Sequence, residues 1–178
     1  MRIQPGEKLR PFSLQDHLGQ TFNTEVLAGR KVLLSFMRFA TCPFCNLRVH
    51  ELVQNQNNLP EDFKIVIVFD ATVKQTSVSA ERHAASFSIL ADAEKEAHTL
   101  YNIEKSFIGV LWGMIFRMPT LLKSMFIHGH WPFPIQGNML TMPADFLVDE
   151  NGIIQVAYYA KDEGDHLPLD QINHFANA

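Results

Sequence analysis

The sequence predicts one α/β domain, residues 1–178, built on a central mixed β-sheet flanked by helices. Two nearly unbroken apolar runs, 32–39 and 63–69, are typical of parallel strands that helices cover on both faces. The segment between them, 43–59, spaces its apolar residues as a helix with one buried face does. This order of strand, helix and strand completes a βαβ unit, whose right-handed crossover places the two strands side by side.

Short alternating segments predict a β-hairpin before this unit. Apolar and polar residues alternate in 12–14 and 20–22, on either side of a turn-prone stretch. Asn23 or Thr24 then caps a brief helical turn that ends near Gly29. The chain therefore reaches the first buried strand from an N-terminal hairpin.

The elements after the βαβ unit follow from spacing and from one strong turn signal. Apolar spacing predicts a helix over 72–87, a strand over 88–91 and a helix over about 93–101. Near the end, 144–149 and 153–159 flank Asn151-Gly152, a pair that readily takes the positive φ values of a tight hairpin turn. These two strands are therefore antiparallel, and 168–175 predicts a last helix that packs back on the sheet.

The only two cysteines of the chain stand one helical turn apart, where the first buried strand meets the helix. A strand that delivers Cys42 to a helix start surrounds its sulfur with unpaired N–H groups and the positive end of the helix dipole, which favour thiolate. Pro43 has no N–H to lose and a φ suited to the first helical position, so it stiffens the geometry. We expect Cys42 to be the catalytic nucleophile and Cys45, within disulfide reach, to resolve its adduct.

Two other interpretations of the cysteine pair are less favoured by the sequence. A structural zinc site usually has four ligands, and no second cysteine pair exists. A structural disulfide across so short a loop removes little entropy from the unfolded chain. Redox chemistry therefore remains the favoured interpretation.

The charge balance and the amino terminus limit the partners and the compartment. A formal net charge of −4 and a pI near 6.0, without a long run of one sign, exclude nucleic acid as the main partner. Residues 1–8 lack the apolar segment of a secretory signal. In a reducing compartment a proximal cysteine pair is more often catalytic than structural. We therefore expect a cytoplasmic enzyme without a cofactor or a resident metal.

A resemblance to a known family lies in three stretches of the sequence, 38–45, 143–152 and 164–168. With the N-terminal hairpin, the β-C-x-x-C-α-β half and the late hairpin, they make the whole chain resemble the thioredoxin fold. More narrowly, they resemble the peroxiredoxin-like branch of the AhpC/TSA redoxins. In that superfamily a proline before the late hairpin is cis and lies against the active-site sulfurs, and the resemblance implies this role for Pro143. The residues expected to shape the substrate cleft are Thr41, Pro43, Phe44, Met142 and Pro143.

The chain departs from the relatives that it resembles at two functional positions. Typical peroxiredoxins surround the peroxidatic cysteine with P-x-x-x-T-x-x-C, and neither Cys42 nor Cys45 has this Pro and Thr before it. Thioredoxin has a buried acid on the strand before its first cysteine, and the nearest polar residue here is Ser35. The sequence therefore identifies no base that would deprotonate Cys45.

The segment 104–140 is a helical insertion that a minimal thioredoxin fold lacks. Residues 107–116 carry no charge and their apolar side chains do not keep to one face, so we expect a helix buried nearly all round. The stretch is shorter than the roughly 18 residues that span a bilayer, which excludes a transmembrane helix. Three interpretations stay open. They are a self-buried insertion, a homodimer interface or hydrophobic substrate surface, and membrane-surface contact near the basic residues Lys105, Arg117 and Lys123.

Two further motifs in the insertion have a simpler interpretation. His128-Gly129-His130 invites a metal assignment, but two histidines without a nearby cysteine or carboxylate make a poor site, and a solvated loop is favoured. Residues 131–134 predict a rigid extended connector towards the late hairpin.

The sequence therefore predicts a thiol–disulfide oxidoreductase that uses the Cys42–Cys45 dithiol, with a protein or small-molecule disulfide or thiol as its partner. One alternative is a peroxiredoxin-like thiol peroxidase that reduces hydroperoxides. A second is a redox-inactive binding module that presents the apolar insertion.

Overall fold

The predicted βαβ unit lies at the centre of the sheet. The computed structural model describes residues 1–131 and 137–178. Its strands are β1 Ser13–Asp16, β2 Thr21–Asn23, β3 Val32–Met37, β4 Lys64–Phe69, β5 Ser88–Ala91, β6 Ala144–Val148 and β7 Ile154–Tyr159. They form one mixed sheet in the order β2-β1-β5-β4-β3-β6-β7. The three central strands β3, β4 and β5 are parallel, and the outer strands pair antiparallel.

The helices pack around this sheet and begin close to their predicted positions. Within the described residues they are α1 Pro43–Asn55, α2 Val73–His83, α3 Glu96–Leu100, α4 Phe107–Phe116, α5 Met118–Phe126 and α6 Leu169–Asn177. Both predicted hairpins are confirmed, because β1 pairs with β2 and β6 pairs with β7.

Three helices are shorter than predicted, each for a local reason. α1 gives way after Asn55 to a short 3-10 turn. α2 ends at His83 because Ala84 takes a left-handed conformation, with φ 47°, that cannot continue a helix. α3 begins three residues later than predicted. The Asp92 carboxylate accepts hydrogen bonds from the backbone N–H groups of Glu96 and His98, each at 2.8 Å, and so caps the helix from the turn before it.

Alternating side chains of β3 divide the interior into two cores. Leu33 and Met37 point to the side that holds α1 and α6, and both cysteines lie in this core. Leu34 and Phe36 point to the other side, where Tyr101 and Phe146 pack around the Phe36 ring at centroid distances of 4.9 and 5.9 Å. The strand that leads into the redox motif is therefore fixed by packing on both faces.

A buried carboxylate, Asp145 of β6, ties the strand before the redox motif to the C-terminal segment. Ser35 donates a hydrogen bond of 2.5 Å to Asp145 Oδ1 across the β3–β6 pair. The Leu167 N–H donates to Oδ2 at 2.8 Å, His166 Nδ1 lies 3.2 Å from it, and Arg48 Nη2 of α1 lies 4.0 Å from it. β3 itself carries no acid, and the buried acid that contacts its Ser35 stands on the neighbouring strand β6.

The insertion forms a helical hairpin of α4 and α5, and the expectation of a helix buried nearly all round is wrong. Only Gly109, Val110 and Gly113 of α4 and Ser124 of α5 are buried. Twelve large apolar residues in and after these helices keep 40 to 71% of their surface exposed. We call this set the apolar outer face: Phe107, Ile108, Leu111, Trp112, Met114, Ile115, Phe116, Met118, Leu122, Phe126, Ile127 and Trp131.

The hairpin is therefore not self-buried. It is also short: among the described residues, no helix has the length and apolar content that a bilayer crossing requires. The predicted connector over 131–134 lies largely outside the described residues.

Asp145→Asn should destabilise the fold by about 3 kcal/mol, because the buried Arg48 then keeps only the exposed carboxylate of Glu51, 3.7 Å away, as a counter-charge. Burial opposes ionisation of Asp145, but His166, Arg48 and Ser35 together lower its pKa to about 2. Its stabilising effect is thus complete above an unfolded-state pKa of about 3.9 and is lost as the pH falls towards about 2. Urea unfolding between these pH values should show a larger loss in the wild type than in the variant, because the other carboxylates of lowered pKa, such as Asp92, contribute equally to both.

Asp62→Asn is the matched control, because Asp62 is exposed. A variant Asp145→Asn that unfolds at the same urea concentration as this control at neutral pH would contradict the assigned role.

Candidate active site

Cys42 occupies the N-cap position of α1, at the carboxyl edge of β3. Its backbone is extended, with φ −62° and ψ 122°, and Pro43 follows at the start of the helix. The Asn46 side chain donates to the carbonyls of Ala40 and Cys42 at 2.8 and 2.9 Å, which fixes the loop from inside the first turn. The strand–helix junction that the sequence predicts is therefore present, and it holds the sulfur against the helix N-terminus.

Arg38 is the charged residue beside Cys42 that sequence reasoning did not single out. It follows the last residue of β3, it is 4% exposed, and its Nη1 lies 3.5 Å from Cys42 Sγ. Its Nη2 donates to the Met139 carbonyl, while Nε is buried without a hydrogen-bond partner among the described residues. A basic residue four positions before Cys42, at the end of a buried strand, was the available signal. It places a fixed positive charge beside the sulfur.

The two thiols have opposite tendencies to ionise. Burial disfavours the Cys42 thiolate, but the Cys45 thiol hydrogen bond, the Arg38 charge and the N–H groups of Cys45 and Phe44 outweigh it and lower the Cys42 pKa to about 6. Burial and the neighbouring Cys42 raise the pKa of Cys45 well above its ordinary value. Because the two sulfurs share one proton between them, Cys42 is the thiolate at neutral pH.

Both sulfurs are fully buried, and the α4–α5 hairpin lies over the motif that contains them. Ser124 of α5 donates a hydrogen bond of 2.8 Å to the Pro43 carbonyl. A Cβ at Gly109 of α4 would lie 2.8 Å from the Met142 methyl group, so the two segments are in close contact. Cys42 and Cys45 have no exposed surface, so a substrate reaches either sulfur only after surrounding segments, among them this hairpin, move.

A second buried carboxyl group, Glu163, lies beneath the same hairpin. It is 2% exposed, and its Oε2 is buried without a hydrogen-bond partner among the described residues. A Cβ at Gly113 would clash with the Glu163 carboxyl group, which would have to move to admit it. Burial, Asp162 and the Cys42 charge raise the Glu163 pKa, while Arg38 lowers it. The sequence identified no acid or base for this site, and Glu163 is a buried carboxyl group whose pKa responds to the Cys42 charge.

The residues expected to shape the cleft are all at least partly buried. Pro43 and Phe44 are buried in the first turn of α1, and Thr41 before them is partly exposed. Met142 is 2% exposed and donates its N–H to the Glu104 carbonyl at 2.9 Å, and Pro143 accepts the Ala160 N–H at 3.1 Å. Their predicted role in substrate contact, and the cis bond at Pro143, stay predictions.

The histidine pair of the insertion does not lie in a solvated loop. His130 is 4% exposed and its Nδ1 lies 3.1 Å from Ser124 Oγ. His83 of α2 lies beside it at a ring-centroid distance of 5.3 Å, and His50 of α1 lies 5.3 Å from His128. The pKa values of His83 and His130 are lowered to about 4, mainly because both rings are buried, and both rings are therefore neutral at neutral pH. Among the described residues, no three potential ligands are placed to hold a metal ion.

Alkylation of Cys42 by iodoacetamide should show a pH midpoint of about 6. Replacing Arg38 by Met should raise this midpoint by roughly one unit, because the charge beside the sulfur is lost. Mass spectrometry of the labelled peptide gives the rate at each pH, and the exposed Arg30→Met serves as a control. Midpoints near 8.5 in both the wild type and Arg38→Met would contradict an activated thiolate.

Ser124→Ala should increase the alkylation rate of Cys42 at neutral pH by about fivefold, because the hairpin loses a buried hydrogen bond of about 1 kcal/mol to the redox loop. Ser77→Ala is the matched control, since Ser77 donates to the Lys74 carbonyl on the exposed surface of α2. Equal rates in the two variants would show that the hairpin does not limit access.

Comparison with known proteins identifies the family of the chain. The family model described as AhpC/TSA family matches residues 5–157. Peroxiredoxin Bcp of Escherichia coli K12 is 27% identical over 126 residues, which cover 68% of this chain and 80% of that protein.

Solved structures share the fold. Peroxidoxin BcpB from Mycobacterium tuberculosis superposes with a TM-score of 0.73 at 14% identity, covering 99% of this chain and 97% of that one. A secreted disulfide oxidoreductase from the same organism, homologous to E. coli DsbE, gives a TM-score of 0.55 at 17% identity, with 93% and 94% covered. The predicted thioredoxin-like fold is thereby confirmed. The chain belongs to the AhpC/TSA family, and it is a thiol-dependent oxidoreductase.

Proposed function

We propose that the protein is a thiol–disulfide oxidoreductase in which Cys42 is the nucleophile and Cys45 the resolving residue. The observation that carries this proposal is the contact of Arg38 Nη1 with Cys42 Sγ, 3.5 Å apart, at the N-terminus of a helix whose first turn holds a second thiol. A lowered thiol pKa next to a thiol of raised pKa is the division of roles that disulfide exchange requires.

The first step is attack of the Cys42 thiolate on a substrate disulfide. The new bond joins Cys42 Sγ to one substrate sulfur, the substrate disulfide breaks, and the other substrate sulfur leaves as a thiolate. The mixed disulfide no longer carries the negative charge of Cys42. Because that charge is one cause of the raised Cys45 pKa, its loss makes Cys45 easier to deprotonate.

The second step completes the exchange within the motif. The Cys45 thiol gives up its proton, which the departing substrate thiolate can take, and its sulfur attacks Cys42 Sγ. The mixed disulfide breaks, a Cys42–Cys45 disulfide forms, and the substrate has gained two electrons. Arg38 lowers the Cys45 pKa as well, so its charge would stabilise the thiolate in both steps.

Peroxide reduction is the second candidate, and the environment of Arg38 favours it. The guanidinium presents a buried Nε without a partner among the described residues beside a thiolate, where it can donate to a peroxide oxygen. Attack of Cys42 on the peroxide would break the O–O bond and leave a sulfenic acid and an alcohol or water. Cys45 would then displace water to form the same disulfide.

We also propose the cytoplasm as the compartment, because a reducing environment keeps a dithiol available for exchange.

A homodimer interface over residues 104–140 is another use of the insertion that the sequence predicts. Analytical ultracentrifugation of the wild type and of Ile115→Glu tests whether such a dimer forms through the apolar outer face.

Pre-reduced protein should reduce a model disulfide such as oxidised glutathione, and Cys45→Ser should accumulate a mixed disulfide at Cys42 that mass spectrometry detects as an added glutathione. Cys42→Ser should have no activity, because the nucleophile is absent.

Stopped-flow oxidation by hydrogen peroxide separates disulfide exchange from peroxide reduction as the activity of the protein. A rate orders of magnitude above that of free cysteine would make the protein a peroxidase, and a rate similar to free cysteine with rapid disulfide exchange would make it an oxidoreductase. Full activity of Cys42→Ser would contradict both.

A further inference from the structure

The apolar outer face of the α4–α5 hairpin is too large to be ordinary protein surface. Exposed apolar side chains lie on both sides of α4, since only three of its residues, Gly109, Val110 and Gly113, are buried. A contiguous apolar surface of this extent marks a site of interaction. The question is which partner can cover it.

The charge distribution of the insertion favours an anionic partner. Residues 105–144 contain three basic and no acidic side chains, whereas the rest of the chain holds 12 basic and all 19 acidic side chains. Lys105 and Lys123 are exposed, and neither makes an ion pair with a described residue. Arg117 instead pairs with Asp162 and Asp165 of the body, so it anchors the hairpin.

The aromatic content of the hairpin favours a lipid surface over a protein partner. Both tryptophans of the chain lie on the apolar outer face. Trp112 stacks on Phe116 at 4.7 Å, and Trp131 meets the Phe126 ring edge-on at 5.5 Å. Tryptophan is enriched at the boundary between lipid headgroups and acyl chains, and lysine beside apolar residues is typical of helices that lie in that boundary.

We propose that the α4–α5 hairpin docks on the surface of a membrane that contains anionic lipids. The apolar outer face enters the headgroup boundary, and Lys105 and Lys123 contact the anionic headgroups. The ten residues of α4 span roughly 15 Å, about half of a bilayer core, so the helix lies in the surface and does not cross it.

The shape of α4 argues against a second copy of the chain as the partner. A rigid protein face covers one side of a helix, whereas side chains on both sides of α4 are exposed here. A symmetric contact would also bring the lysines of one copy towards those of the other, with no acidic side chain of the insertion to balance them. A fluid lipid boundary can surround the helix and supplies the missing negative charge.

Docking would place the catalytic dithiol at the membrane surface, because the same hairpin covers it. Its Ser124 reaches the Pro43 carbonyl, and its Gly109 contacts Met142. This inference goes beyond the proposed activity and does not depend on which substrate is reduced.

Co-sedimentation of the full chain with vesicles tests the proposal. The reduced protein should sediment with vesicles of phosphatidylcholine and phosphatidylglycerol, and less with phosphatidylcholine alone or at high salt. Ile115→Glu and Phe126→Glu should each lower the partition coefficient by roughly tenfold or more. Val78→Glu is the matched control, because it introduces the same charge at an exposed apolar position of α2.

A double variant with Lys105→Gln and Lys123→Gln separates the electrostatic contribution to membrane binding from the apolar one. Its binding to phosphatidylglycerol vesicles should fall by roughly fivefold for each lysine, and its binding to neutral vesicles should not change. Circular dichroism and thiol alkylation confirm that each variant is folded with an intact site.

Three results would overturn the proposal. One is a wild-type protein that sediments with neither vesicle, and another is binding that Ile115→Glu lowers no more than Val78→Glu does. The third is a dimer in analytical ultracentrifugation that Ile115→Glu dissociates while vesicles leave the wild type in solution, which would make the apolar outer face an interface between copies.

Discussion

The site depends on one buried interaction, the contact between the Arg38 guanidinium and the Cys42 sulfur. A thiolate without exposed surface is expensive to form, and burial is the largest single effect on the Cys42 pKa. The hydrogen bond from the Cys45 thiol, the guanidinium and the N–H groups of Cys45 and Phe44 together reverse that effect. Arg38 is itself buried, and its hydrogen bond to Met139 holds it in place. The sulfur and the charge therefore stabilise each other, and neither would be tolerated there alone.

The surrounding fold keeps this pair in position through polar groups rather than through packing alone. Asp145 joins β3 to the segment after β7, and Asn46 joins the redox loop to α2, because its Oδ1 lies 2.9 Å from His83 Nε2. Asp145 and Asn46 have hydrogen-bond partners for both terminal atoms of their side chains, which holds the surroundings of Cys42 in place. Glu163 Oε2 and Arg38 Nε are instead buried without a partner among the described residues, and Glu163 lies against Gly113 of the hairpin.

The parts of the structure that follow from local pattern were predictable from the sequence. The order of elements, both hairpins and the position of Cys42 at a strand–helix junction needed only spacing, turn residues and the proline at position 43. Contacts between distant segments were not predictable, because no periodicity records them. Asp145 is separated from Ser35 by 110 residues. The exposure of α4 was predicted wrongly for the related reason that an apolar sequence does not show whether anything covers it.

The position of both cysteines within one turn of α1 has a consequence for how the two redox forms differ. Asn46 clamps the carbonyls of Ala40 and Cys42, so the path of the chain is fixed before any bond joins the sulfurs. A bond across so few residues also restricts the unfolded chain little. A disulfide between Cys42 and Cys45 would remove the negative charge of the Cys42 thiolate without requiring a new path for this part of the backbone. An electron donor that distinguishes the two redox forms would then respond to the charge at Cys42.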